Sequence, residues 1–285
     1  MITKSKLLAI LQLFRPDLAS AAGMCVVLGE MLALGGFPPW RLVGLGFICG
    51  FFLSGSALIS NDYFDLEVDR INMPQRALPS GRITPRGALI LSFVAGLIGL
   101  MAAFALSPLA FVFSVVIWIL GFLYNWKLKS AGLVGNLIVC TSVAMTFVLG
   151  GIGVGQWRNG MVWTFGLIAF LFDLAEEIAG DAMDAEGDRQ RDSRSLAIRR
   201  GKRTALRIAG ILFGLVVVVT MVPIIWGGLG LSYLMGISVT NLIIIVNTIK
   251  LLKSKTPAEG RRAMRALYIG ASAGLLAFLI GSIFV

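Results

Sequence analysis

Long apolar stretches separated by short polar connections dominate the chain. A helix needs about twenty apolar residues to cross the hydrocarbon core of a bilayer. Stretches of that kind occupy residues 17–37, 42–60, 87–106, 108–125, 133–153, 161–179, 204–226, 229–250 and 264–284. The expected fold class is all-α: a polytopic membrane protein with nine transmembrane helices. The first stretch follows only three basic residues and ends without a small-residue cleavage site, so it reads as a retained helix and not a signal peptide.

Composition agrees with this pattern, with 57% hydrophobic residues, 14% charged residues and a mean hydropathy of +0.88. These values lie far from those of a soluble domain. The net charge of +10 invites a nucleic-acid reading, but its distribution argues otherwise. With the N-terminus in the cytoplasm, every Lys and Arg except Arg41 and Arg158 falls on the cytoplasmic side, which is the positive-inside pattern. Nine spans then place the C-terminus outside. Part of the basic excess, including Arg199, Arg200, Lys202 and Arg203, reads as facing anionic lipid. The three cysteines sit inside apolar stretches without CxxC spacing, and the lack of any histidine excludes a histidine base or haem ligand.

The polar residues that interrupt this pattern are organised as a repeat. Asp62 to Arg70 and Asp181 to Arg189 both read D-x-x-D-x-E-x-D-R. Similarity continues beyond them, with Arg76, Leu78, Gly81 and Thr84 matched approximately by Arg194, Leu196, Gly201 and Thr204. Four spans separate the copies, and an even number keeps both on one face. The chain therefore reads as a single transmembrane domain of two parallel four-helix pseudo-repeats, about 10–130 and 131–255, with a final helix over 264–284. Parallel membrane repeats favour substrate sites at their interface.

Helical spacing assigns chemistry to the acids. Asn61, Asp65 and Asp69 fall within about 80° of each other if the second span continues as helix through its polar end. Asp173, Glu177, Asp181, Asp184 and Asp188 form a similar stripe, whereas Glu67 and Glu186 point off the shared faces. Facing carboxylate stripes need cations between them. Magnesium suits oxygen ligands completed by water and substrate phosphate oxygens, so the pattern points to a magnesium–diphosphate site. Two simpler readings are solvated loops and local helix capping by Asp62 or Asp181. Capping accounts for only one acid in each copy. Basic residues suited to phosphate are Arg70, Arg76, Arg82, Lys127, Lys129, Arg189 and Arg194, with Arg76 and Lys127 the better candidates.

The run N-D-x-x-D-x-x-x-D from Asn61 to Asp69, the run D-x-x-D-x-x-x-D from Asp181 to Asp188, and Tyr124 followed by Lys127 and Lys129 resemble the UbiA-type intramembrane prenyltransferases. The resemblance covers nearly the whole chain. It implies helices around a central chamber, a Mg2+ cofactor, and a metal site of Asn61, Asp65, Asp69, Asp181, Asp184 and Asp188, with Asp62 and Asp184 as possible proton acceptors. It also implies substrate binding by Arg70, Arg76, Ser80, Tyr124, Asn136 and Arg194 and diphosphate binding by either Lys127 or Lys129. Arg15 lies where an acceptor contact is implied, although Asp17-Leu18 follows Pro16 where many relatives carry an asparagine.

Within that family, Asn61 to Asn72, Arg76, Pro79 to Arg82, Leu123 to Lys129 and Gly135-Asn136 look most like archaeal ether-lipid enzymes. The implied reaction joins a geranylgeranyl group from its diphosphate to the free hydroxyl of geranylgeranylglyceryl phosphate through an allylic cation. Implied partners are the isoprenyl diphosphate, the lipid-phosphate acceptor and membrane lipids. Phe51, Phe52, Phe64, Trp118, Tyr124 and Phe172 are candidates to line the path of the isoprenoid. Two alternatives stay open: an aromatic prenyltransferase of quinone or chlorophyll synthesis, and a divalent-cation transporter using Asp173 and Glu177.

Overall fold

The structure is a computed structural model that describes residues 4–188, 194–226 and 229–283, with some side chains near the edges of those ranges left undescribed. The described residues form helices joined by loops and contain no strand. Long helices are the expected answer to an environment without water, since they satisfy the backbone internally. In order they are α1 (Lys4–Phe14), α2 (Pro16–Leu34), α3 (Trp40–Phe64), α4 (Leu66–Asn72), α5 (Pro85–Leu106) and α6 (Pro108–Leu123). A π-helical turn (Tyr124–Leu128) and a 3-10 turn (Lys129–Ala131) lead into α7 (Leu133–Gly153). There follow α8 (Gly160–Asp188), α9 (Leu196–Arg200), α10 (Lys202–Val219), α11 (Val222–Ile225), α12 (Leu231–Leu252) and α13 (Pro257–Ile283).

Among the described residues, seven helical segments are long and apolar enough to cross a membrane: 16–34, 40–64, 85–106, 108–128, 133–153, 202–225 and 231–252. The chain is an integral membrane protein. Two further helices, α8 of 29 residues and α13 of 27, coincide with the remaining expected stretches. The acids Asp173, Glu176 and Glu177 lie within α8. Helix starts follow local chemistry. Proline occupies the first turn of α2, α5 and α6, where its missing N–H costs nothing. Thr84 Oγ1 accepts the Gly87 N–H at 3.1 Å and Ser107 Oγ accepts that of Ala110 at 3.0 Å.

Three features differ from the hydropathy reading. An extra helix, α1, precedes the first apolar stretch. The second stretch stays helical to Phe64, and the sixth stays helical to Asp188. Hydropathy marks where lipid ends, whereas a helix continues for as long as its backbone ladder is satisfied.

Two compact units divide the chain within α7: residues 1–127 with 145–159, and residues 128–144 with 160–285. In the first unit α3 packs against α2 and α5, and α1 lies against α3. Ala9, Leu13, Ile59, Ala77, Leu78 and Ala88 form a core that ties α1 and the segment after α4 to α3 and α5. In the second unit α10 packs on α8 and α12 packs on α13, around Ile178, Leu206, Phe213, Ile244, Leu251 and Leu267.

Small residues let membrane helices approach backbone to backbone. In the first unit a Cβ at Gly150 of α7 would run into the Val26 carbonyl oxygen, and one at Gly29 of α2 into the Phe147 carbonyl oxygen. Neither obstacle is a side chain that can rotate away. Gly150→Leu is therefore expected to destabilise the protein by at least about 2 kcal/mol, read as an earlier loss of monodisperse protein on heating in detergent. An unchanged thermal profile would show that α2 and α7 do not meet in this way.

Candidate active site

The first acidic segment straddles a one-residue irregularity. Asp65, at φ −85° and ψ 1°, separates α3 from α4. The ladder nevertheless persists: Asp65 N–H donates to the Asn61 carbonyl at 2.9 Å and Asp69 N–H to the Asp65 carbonyl at 2.8 Å. The four-residue spacing therefore still sets the side-chain directions. Asp62 occupies the last turn of α3 and Asp181 the interior of α8, so neither caps a helix N-terminus.

Burial then forces pairing. Asp62 and Asp69 are both buried, and each has an arginine. Arg15 Nη2 donates to Asp62 Oδ1 at 2.6 Å, and Arg76 Nη1 donates to Asp69 Oδ2 at 2.7 Å while lying 3.7 Å from Asp62 Oδ1. A buried charge without a partner is strongly destabilising. Gln12, Arg15, Asp62, Gln75, Arg76 and Ala77 line a cavity of about 220 Å³. A guanidinium carries five N–H donors, so the arginines keep donors for a further anion.

Local structure holds each arginine in place. Arg15 stands at the junction of α1 and α2 with φ 43° and ψ 70°, the sole non-glycine residue of positive φ among the described residues. The following proline disfavours the right-handed region for Arg15, and the bond to Asp62 holds its side chain. Arg76 projects from a polar loop in which Ser80 Oγ donates to the Arg76 carbonyl at 2.6 Å. In the same loop Arg82 donates to Ser80 Oγ at 2.9 Å and to the Gln75 carbonyl at 2.7 Å. Ser80, predicted to bind substrate, thus scaffolds the loop that presents Arg76.

A second network joins the acidic end of α3 to the π-helical turn. Asn125 donates to Ser60 Oγ at 2.8 Å and to the Ala57 carbonyl at 2.9 Å, and its Oδ1 accepts from Asn61 Nδ2 at 3.1 Å. Deeper in the unit, Trp118 Nε1 donates to Ser56 Oγ at 2.9 Å and Ser92 Oγ to the Ser56 carbonyl at 2.8 Å. Asn125 thereby fixes both Asn61 and the turn carrying Tyr124 and Lys127. Lys127 Nζ lies 4.3 Å from the centre of the Trp126 ring. Lys129 belongs to the second unit, where its charge acts on Glu177.

In the second unit α8 is one unbroken helix from Gly160 to Asp188, so its acids share a continuous stripe. Asn136 Nδ2 donates to Asp181 Oδ2 at 3.0 Å, and Arg261 Nη1 meets Asp184 Oδ1 at 2.5 Å. The Asp184 pair is more than half exposed on both sides, where ion pairs contribute little. The Asp188 side chain and Arg189 lie outside the described residues, as does the Glu186 side chain.

Some predicted residues stand apart from these groups. Arg70 pairs with exposed Glu67 at 2.8 Å, and Arg194 is exposed just before α9. Gln12, Gln75, Asn125 and Arg261 complete the sites although spacing did not single them out. Asn125, in the Tyr124–Lys127 run, and Gln75, beside Arg76, had a nearby signal.

Among the described residues no three acidic or cysteine side chains stand close enough to hold a metal ion. The donors nonetheless fit magnesium in kind. Carboxylate and amide oxygens predominate, and in Asp62 and Asp69 an arginine engages one oxygen and leaves the other.

This chain belongs to the UbiA prenyltransferase family, whose profile matches residues 22–281. At finer resolution it is similar to the digeranylgeranylglyceryl phosphate synthase of Pyrococcus furiosus, with 35% identity over 273 residues and 96% of each chain covered. A solved structure of digeranylgeranylglyceryl phosphate synthase aligns with a TM-score of 0.80 at 29% identity, covering 98% of this chain and 99% of that one. A UbiA homologue from Archaeoglobus fulgidus, bound to GPP and Mg2+, aligns with a TM-score of 0.63 at 18% identity, covering 97% of this chain and all of that one (100%).

The Arg15 geometry separates two effects that a single substitution confounds. Arg15→Ala should destabilise the protein by about 2–4 kcal/mol by leaving Asp62 without its nearest cation. Arg15→Gly should be less damaging by about 1 kcal/mol, because glycine adopts the left-handed conformation without strain. Chemical denaturation of both variants in detergent checks the order; equal stabilities would show that position 15 carries no backbone strain.

Proposed function

We propose that this chain transfers a geranylgeranyl group from geranylgeranyl diphosphate to the free hydroxyl of geranylgeranylglyceryl phosphate, forming the second ether bond of archaeal membrane lipids. The observation that carries the reading is the similarity to a digeranylgeranylglyceryl phosphate synthase along 96% of both chains. The arginine pair beside the first acidic segment adds support, since it suits an acceptor that carries a phosphate.

In this reading Asn61, Asp65 and Asp69, together with Asp181, Asp184 and Asp188, are the residues that would hold magnesium beside the diphosphate. The metal, when bound, neutralises charge developing on the departing diphosphate. Tyr124 and either Lys127 or Lys129 steady the same group, while Asn136 positions Asp181 and Ser80 braces the loop that presents Arg76. Arg15 and Arg76 direct their remaining N–H groups to the acceptor phosphate.

The bond from the prenyl C1 to the diphosphate oxygen breaks, and the diphosphate leaves with the bonding pair. The acceptor hydroxyl oxygen then bonds to the allylic carbon, and its proton passes to Asp62, which lines the arginine pocket. Surrounding helices exclude the water that would quench the cation. Phe14, Phe51 and Phe52 cluster in the first unit with centroids 5.2–5.9 Å apart, Phe14 stacked on Phe51 and both meeting Phe52 edge to face, and such rings suit both a cation and an isoprenoid.

The reading includes nine spans, α8 and α13 joining the seven, arranged as two parallel repeats and a final helix. The N-terminus and acidic segments are cytoplasmic and the C-terminus is outside, in accord with the distribution of Lys and Arg.

The test is incubation of purified full-length protein in detergent with magnesium, geranylgeranyl diphosphate and either geranylgeranylglyceryl phosphate or an aromatic acid. Mass spectrometry is expected to find the doubly prenylated glyceryl phosphate. A prenylated ring instead would move the acceptor assignment to the aromatic class. No product with any acceptor, combined with protein-dependent magnesium flux into liposomes, would replace enzyme by transporter. Asp65→Ala and Asp184→Ala should each lower transfer by at least about a hundred-fold with the gel-filtration profile unchanged. A near-normal rate in either removes that residue from the metal site.

A further inference from the structure

Away from both acidic segments, the second unit carries a groove of about 810 Å³ lined by five cations: Lys202, Arg203 and Arg207 of α10, and Lys253 and Lys255 just beyond α12. No carboxylate lines it. None of the five makes an ion pair among the described residues. The nearby acid Glu259 accepts the backbone N–H of Lys255 at 2.9 Å, and its charge is also felt by that lysine and by Arg262, outside the groove lining.

Two features make this more than a solvated basic surface. Lys202 and Arg203 occupy the first turn of α10, where the helix dipole is already positive and cations are unfavourable. That turn contains no acid, and its N-cap, Gly201, has no side chain to accept the leading N–H groups. Gly201 holds φ 87°, so the conformation itself favours a residue that cannot cap. Cations crowded against uncapped N–H groups form a ready anion site.

The surroundings indicate what carries the anion. Leu206 and Leu252 contribute apolar walls to the groove. Below Arg207, Ile211, Leu215 and Val218 continue the same side of α10 at helical spacing and are exposed. On α12 the exposed residues Leu242, Val246 and Ile249 form a second apolar stripe leading toward Leu252. The helices meet closely at this point, where a Cβ on Gly210 would lie 3.2 Å from Leu252 side-chain carbons. A cationic groove at the head of two exposed apolar stripes matches a headgroup with its chains, and not a free ion.

We propose that this groove binds the phosphate headgroup of an anionic membrane lipid, whose hydrocarbon chains lie along the exposed faces of α10 and α12. Basic pockets between membrane helices commonly serve this purpose. The assignment uses no residue of the transfer reaction and stands or falls separately from it.

The test is native mass spectrometry of the detergent-purified full chain in mixed micelles containing dioleoylphosphatidylglycerol or dioleoylphosphatidylcholine, with a parallel titration by inorganic phosphate. Phosphatidylglycerol should be retained in preference to phosphatidylcholine and should raise the melting temperature, while inorganic phosphate neither displaces it nor stabilises the protein. The variant carrying Arg203→Gln, Arg207→Gln and Lys253→Gln should bind phosphatidylglycerol about a hundred-fold more weakly. If that variant loses its monodisperse profile, Arg207→Gln and Lys253→Gln alone should each weaken binding about five-fold. Undiminished retention in the folded variants, no preference between the lipids, or displacement by inorganic phosphate would overturn the proposal.

Discussion

A carboxylate at the edge of a lipid bilayer has few options. It can be paired with a cation, hydrogen-bonded, or left to destabilise the fold. In the first unit this constraint organises everything around the end of α3. Asp62 draws Arg15 into a conformation that non-glycine residues rarely adopt. Asp69 draws Arg76 inward from its loop, and the loop is braced by Ser80 and Arg82 so that the arginine can reach. The extra helix α1 and the buried Ala77-Leu78 step belong to the same arrangement, since Ala9 and Leu13 pack with them over Ile59.

The same logic explains the neutral polar groups. Asn61, Ser60 and the Ala57 carbonyl converge on Asn125, and Ser56 meets Trp118 and Ser92. In an apolar medium each such group costs more unpaired than it contributes paired. These bonds therefore act chiefly as positional constraints. One consequence is that the turn bearing Tyr124 and Lys127 is tied to the acidic segment through an amide that has no charge of its own. In the second unit Asn136 stands to Asp181 in a comparable relation.

Charge on this protein is clustered by position, with acids interleaved with arginines in some clusters and unmixed cations in another. The acids of α3, α4 and α8 meet arginines and an asparagine within their own units. The basic groove of α10 and α12 poses the opposite problem. None of its cations makes an ion pair among the described residues, and the proposed lipid phosphate would answer their charge.

Period and composition were enough to read an all-helical integral membrane protein, because twenty apolar residues have few other stable fates in water or lipid. The paired D-x-x-D segments and the residues around them were also enough for the family, since spacing along a helix translates directly into shared faces. What lay beyond the sequence were partnerships across long intervals. Arg15 with Asp62, Asn125 with Asn61 and Arg261 with Asp184 join residues 47, 64 and 77 positions apart, and no local pattern encodes such distances. The helices also run past their apolar stretches, because hydropathy reports contact with lipid while hydrogen bonding determines where a helix stops. The sequence by itself determined which residues could carry charge, and on which helical face. Only the tertiary structure decided which opposite charge each would meet, because pairing depends on how helices pack and not on their order along the chain.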